Sequence, residues 1–118
     1  MIAVMSGIEP TAADLKELEK SSQKAADLLK TLANRERLLL VCNMLQGEPC
    51  VSDLEALTGI TQPTLSQQLG VLRRQGLVAV RRDGKHIHYS IKDPAAIRLL
   101  ETLHSIFCPA PRRRARKA

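Results

Sequence analysis

Apolar positions along the chain recur with a helical period in five segments and alternate in two. From Thr11 to Leu32, the residues Leu15, Leu18, Ala25, Leu28, Leu29 and Leu32 return at three- and four-residue intervals, which predicts an amphipathic helix. Thr11 followed by Asp14 offers a cap, and Ser21-Ser22 predicts a break into an arm and a second segment. A second helix is predicted from about Asn34 to Leu45, with Leu38, Val41, Cys42 and Leu45 at i, i+3, i+4 and i+7 before Gly47 and Pro49 end it. Ser52 is the predicted cap of a short helix, SDLEALTG, with Glu55 completing a capping box and Gly59 stopping it. Thr61 is the predicted cap of the next helix, which carries Pro63 in its first turn, turns Leu65, Leu69 and Leu72 inward and ends near Gly76. Val78 and Val80 then alternate with Ala79 and Arg81, and Ile87, Tyr89 and Ile91 with His88 and Ser90. Asp83-Gly84 between these runs predicts a tight hairpin. A last helix runs from about Pro94 to Phe107, with Ile97, Leu100, Leu103 and Phe107 on one face. The order is α-α-α-α-β-β-α, mainly α with a small β-hairpin.

Two short capped helices joined by Thr58-Gly59-Ile60-Thr61, followed by a basic hairpin, predict a winged helix-turn-helix over residues 11–108. In that geometry the second helix of the pair enters the major groove of double-stranded DNA with its N-terminal residues at the base edges. Its outward positions are Gln62, Thr64, Ser66, Gln67 and Gln68. A glutamine amide pairs bidentately with adenine, and serine and threonine hydroxyls bond bases or phosphates. Arg73 and Arg74 lie farther along and suit phosphates, as do Arg81, Arg82, Lys85, His86 and His88 on the hairpin.

Composition narrows this picture. The chain has 118 residues, one Phe, one Tyr and no Trp, so Leu, Val and Ile must build a single modest core. The net charge is +6, of which Arg112, Arg113, Arg114, Arg116 and Lys117 supply +5, leaving about +1 for the rest. Residues 109–118 are therefore expected to form a disordered basic tail able to touch phosphates, and residues 1–10 a disordered leader. No apolar run approaches the roughly 18 residues that span a bilayer, and MIAVMSGIEP lacks the basic flank of a secretory signal. A cytoplasmic protein with no membrane partner and reduced cysteines is expected. No nucleophile-base set, phosphate loop or cofactor fingerprint is visible, so neither enzymatic activity nor a cofactor is expected.

Three stretches carry a family resemblance: LLKTLANRERLLLVCNML, EPCVSDLEALTGITQPTLSQQLGVLRRQGLV and VRRDGKHIHYSI. Together, over about two-thirds of the chain from Leu28 to Phe107, they resemble the ArsR/SmtB-type bacterial repressors. The resemblance implies a homodimer formed through the first and last helices, binding to a pseudo-palindromic operator, and release by an inducer. One recognition helix is a weak reader, and two set about one helical turn apart match a two-fold site.

The inducer is read from the cysteines and histidines. The arsenic and metal box of the family carries two cysteines two residues apart. Here Cys50 stands at the first position and Ser52 at the second, which leaves a poor soft-metal site. A second metal site of the family lies on the last helix, where Asp93 is followed by Pro94-Ala95 and His104 has no matching partner. His86 and His88 share a strand face but are too few for zinc. No metal site is expected, although a metal- or arsenic-responsive repressor using Cys50 and histidines is the alternative. Cys42 and Cys108 match a sulfide- and persulfide-responsive subgroup, which has one cysteine in the second helix and one just after the last. That resemblance implies a redox switch in which a persulfide or polysulfide bridges the pair.

Overall fold

The computed structural model describes residues 11–108. The segments 1–10 and 109–118, expected above to be disordered, lie outside the described residues. The elements are α1 (Ala12–Leu32), α2 (Arg35–Cys42), α3 (Val51–Thr58), α4 (Thr64–Arg74), β1 (Val78–Asp83), β2 (His86–Ile91) and α5 (Pro94–Phe107). This is the expected winged helix-turn-helix order.

Helix α1 opens on a reciprocal cap: the Asp14 N–H donates to Thr11 Oγ1 at 3.1 Å, and the Thr11 N–H donates to Asp14 Oδ2 at 3.0 Å. It continues unbroken through Ser21-Ser22, contrary to the predicted break. Two adjacent serines cost little in a solvated helix face, and the Gln23–Asp27 hydrogen bond of 2.9 Å spans the turn just beyond them. Helix α2, capped by Asn34, stops at Cys42 rather than Leu45. Beyond it, Met44 and Leu45 donate to carbonyls three residues back, Val41 and Cys42, so the helix tightens into turns.

The helix-turn-helix differs from expectation at both starts. Helix α3 is capped by Cys50 and not by Ser52, because the Asp53 carboxylate accepts the Cys50 N–H at 3.0 Å, which shifts the start two residues upstream. Gly59 ends it at φ 76°, a left-handed conformation that favours glycine. Thr61 makes no side-chain cap on α4; its carbonyl accepts from Leu65, while Gln62 Oε1 accepts from the Ser66 N–H at 3.0 Å. In the hairpin, Asp83 pairs with His86, so the two turn residues are Gly84-Lys85 rather than Asp83-Gly84. Gly84 has φ 63° in the first turn position, as a type II′ turn requires.

The core is aliphatic: Leu40, Val41, Leu54, Leu65, Leu72, Val78, Ala96 and Leu100 are almost fully buried. Leu32, Met44, Ile60, Leu69 and Leu77 complete the cluster. It joins the end of α1 to every later element, while the first half of α1 projects from it with exposed or half-buried side chains. Apolar residues of the first and last helices consequently remain open in the single chain, with Leu15 52%, Leu29 53%, Ile106 63% and Phe107 77% exposed. Among the described residues no helix is long and apolar enough to cross a membrane.

Candidate DNA-facing surface and cysteine pair

The inner face of α4 is fixed by Leu65, Leu69 and Leu72, each buried to within 2%. With that face committed, helical geometry turns Ser66, Gln67, Arg73 and Arg74 to solvent, with Gln62 exposed just before the helix and Thr64 half-buried. Arg74 folds back over Gly70, its Nη1 3.1 Å from where a Cβ would stand. Gln68 is different. It is half-buried and faces α2, where Arg37 Nη1 donates to its Oε1 at 2.8 Å. Its amide is therefore engaged within the protein, although the sequence places it beside the outward residues.

The wing is a two-stranded antiparallel sheet with Arg81 opposite His88, Arg82 opposite Ile87 and Asp83 opposite His86. Arg82, Lys85 and His86 are exposed near its tip. Arg81 and His88 are drawn instead onto the loop before α3. Arg81 Nε and Nη2 both lie 2.9 Å from Glu48 Oε1, and His88 Nδ1 lies 2.8 Å from the Glu48 carbonyl. The Tyr89 N–H donates to the Pro49 carbonyl at 2.9 Å, and Cys50 bridges to His88 as a fragment of a third strand. The wing and the helix-turn-helix are thus stitched together by residues 48–50.

Cys50 is buried, 7% exposed, with Sγ 3.3 Å from Asp53 Oδ2 and 3.2 Å from Ser52 Oγ. The backbone N–H of Cys50, then its thiol, hold the Asp53 carboxyl below the usual carboxylate range, with smaller help from His88 and His86. This cysteine works as a helix cap. Among the described residues no three His, Cys, Asp or Glu side chains converge as metal ligands would.

Cys42 ends α2 and Cys108 follows α5, two helices that share a hollow. Cys42, half-buried at the end of α2, lines a hollow of about 170 Å³ with Leu45, Gln46, Glu101 and His104. Cys108, exposed, caps the C-terminus of α5 through its N–H to the His104 carbonyl at 2.9 Å. Burial pushes the Cys42 thiol above the ordinary range, and Cys108 adds a smaller push in the same direction. Both are free thiols.

Sequence reasoning missed Arg37, Glu48 and Asp53, which make the polar ties just described. The one available signal was charge in unlikely company: Glu36-Arg37 directly before an apolar run, and Glu48 between Gly47 and Pro49.

A capped helix pair, an outward polar helix and a stitched hairpin define a winged helix-turn-helix regulator. Residues 34–80 match the model of the bacterial regulatory proteins of the arsR family. The chain is 52% identical to the biofilm growth-associated repressor of Agrobacterium fabrum over 94 residues, 80% of each chain. The crystal structure of the transcriptional repressor BigR from Xylella fastidiosa superimposes with a TM-score of 0.74 at 48% identity, covering 80% of this chain and 96% of that one. The reduced form of HlyU from Vibrio cholerae gives a TM-score of 0.77 at 37% identity, covering 80% and 99%. The chain belongs to the arsR family of bacterial regulatory proteins, which are regulators and not enzymes.

Proposed function

We propose that the protein is a homodimeric transcriptional repressor that binds a pseudo-palindromic operator and releases it when reactive sulfur bridges Cys42 and Cys108. The observation that carries this reading is the placement of two free thiols, Cys42 at the end of α2 and Cys108 at the end of α5, beside the exposed apolar residues Ile106 and Phe107. The open residues of α1 and α5 supply the seam for a second copy, and two copies of α4 then read two half-sites. Gln62, Thr64, Ser66 and Gln67 face the bases; Arg73, Arg74, Arg82, Lys85 and His86 face phosphates. Gln68, Arg81 and His88 serve the same surface by shaping it.

The sulfur chemistry follows from accessibility. The exposed Cys108 attacks first as its thiolate, on the terminal sulfur of a low-molecular-weight persulfide, forming a Cys108 persulfide and expelling the carrier thiolate. Cys42 then loses its proton and attacks the inner sulfur, which forms the disulfide and expels hydrosulfide. Two thiols are oxidised and one sulfane sulfur is reduced to sulfide. A direct disulfide needs the two Cα atoms within about 7 Å, and a longer sulfur chain relaxes that demand. Either bridge ties α2 to the end of α5. Because α5 belongs to the seam, the tie turns one subunit against the other and takes the recognition helices out of register. A coupling of about 2.7 kcal/mol lowers operator affinity roughly a hundredfold.

The test is a gel-shift titration of reduced and polysulfide-treated protein with intact mass measured in parallel. Cys42→Ser and Cys108→Ser are expected to bind the operator and to keep it after treatment. Full release from the Cys42→Ser protein would discard the switch while leaving the DNA reading intact.

A further inference from the structure

Arg37 stands in the first turn of α2 and links three helices. Its Nε donates to the Thr31 carbonyl at 2.6 Å, and its Nη1 donates to Gln68 Oε1 on α4 at 2.8 Å. Gln68 Nε2 in turn reaches Glu36 Oε1 at 3.5 Å. The Thr31 carbonyl belongs to the last turn of α1, where no N–H of the same helix is left to meet it. Arg37 therefore satisfies an orphan acceptor on the helix that carries the seam and grips a side chain on the helix that faces DNA. The planar guanidinium makes both bonds from one rigid fork, whereas a lysine ammonium is a single point.

The grip falls where it matters for α4. Gln68 directly follows Gln67, which is exposed, and lies two residues beyond Ser66. Holding Gln68 against α2 fixes the azimuth of every outward side chain on the helix. A turn of about 20° about the axis, at a side-chain radius of about 6 Å, moves those groups by about 2 Å. Hydrogen bonds to base edges are made only in a window of about half an ångström, so such a turn abolishes them. The buried leucines hold the inner face against the core, and the Arg37–Gln68 bond adds a directional restraint on the rotation of the helix.

We propose that Arg37 is a positioning residue for DNA readout: it sets the rotation of α4 through Gln68, ties that rotation to α1, and touches neither base nor phosphate itself. The inference rests on the reading above that α4 faces DNA. Its consequence is that Arg37 governs preference for the operator over other duplexes, while general affinity for DNA is left to the exposed cations.

The experiment uses the full chain and the duplex that the wild-type protein selects from a random pool, with an unrelated duplex of equal length as reference. Arg37→Lys, Gln68→Leu and the double variant are titrated on both, and their thermal midpoints are recorded. Each single variant is expected to lose about tenfold on the selected duplex and less than twofold on the unrelated one. The double variant is expected to lose no more than either single one, because both remove one shared bond. Gln68→Leu, at a half-buried position, carries the comparison if Arg37→Lys fails to fold. Three results overturn the proposal: unchanged preference in Gln68→Leu, losses that add in the double variant, or equal losses on both duplexes in step with a lower midpoint. A wild-type protein that selects no duplex overturns the DNA reading itself, and this proposal with it.

Discussion

Bridging the two cysteines changes the stability of the protein by an amount that can be worked out. Cys42 and Cys108 close a loop of about 67 residues, counted between positions 42 and 108. In the chain-entropy account of disulfides, such a loop removes about 4.4 kcal/mol of freedom from the unfolded chain. Against this stands any strain the bridge puts into the folded dimer. If all of the hundredfold loss of operator affinity were stored as strain, about 2.7 kcal/mol would be set against the gain, leaving about 1.7 kcal/mol. For a domain of roughly 100 residues, 1 kcal/mol moves the melting midpoint by about 4–8 °C, so the bridged protein is expected to melt at least about 7 °C above the reduced one. The assay is a thermal melt at fixed protein concentration, with the bridge verified by intact mass and polysulfide-treated Cys42→Ser as control. A protein fully bridged by mass that melts at or below the reduced form would refute the reasoning, since the sulfurs would then be joined only by distorting the core.

Further expectations test other parts of the molecule. Leu65→Ala, at a fully buried position on α4, is expected to cost 2–5 kcal/mol in urea unfolding through the cavity it leaves. Lys85→Ala is expected to reduce the slope of log affinity against log salt by about 0.9, with operator preference unchanged, as removal of the one phosphate contact proposed for it would do. Leu29→Glu, a charge on the exposed stripe of α1, is expected to convert the proposed dimer to monomer in sedimentation while helix content is kept. Asp53 ionises more readily folded than unfolded, so its contribution is present above the ordinary carboxylate value of about 3.9 and is lost as pH falls through its lower folded value. Asp53→Asn is therefore expected to flatten the fall in stability as pH drops below the ordinary carboxylate value.

The elements that sequence periodicity revealed are those whose apolar side chains meet the core. Leu65, Leu69 and Leu72 recur at helical spacing because one face of α4 is buried, and the same spacing names the opposite face as the exposed one. The hairpin was legible from its alternation and its Asp-Gly pair, although pairing moved the turn one residue onward to Gly84-Lys85. What escaped the sequence were hydrogen bonds made across it. Ser52 with Glu55 is a better local capping signature than Cys50 with Asp53, yet the latter forms because Pro49 and Cys50 are already held by the wing. Gln68 and Gln67 are the same residue type at adjacent positions. Helical spacing puts Gln68, three beyond Leu65 and four before Leu72, on the flank of the buried face and Gln67 opposite it, but the partner that takes the Gln68 amide, Arg37, is 31 positions away. The thiol pair was visible only by family resemblance, since nothing in local sequence brings the end of α2 to the end of α5.

The two-stranded wing would be marginal as an isolated hairpin in water. Its order is borrowed, through the Tyr89 N–H on Pro49, the His88 ring on Glu48 and the Lys92 N–H on Leu77. In hydrogen exchange the hairpin should therefore have no melting of its own: its central amides open when the loop before α3 lets go, and not earlier. On the proposed DNA reading, a wing and a helix tied in this way are expected to leave the duplex together, as a single event per subunit.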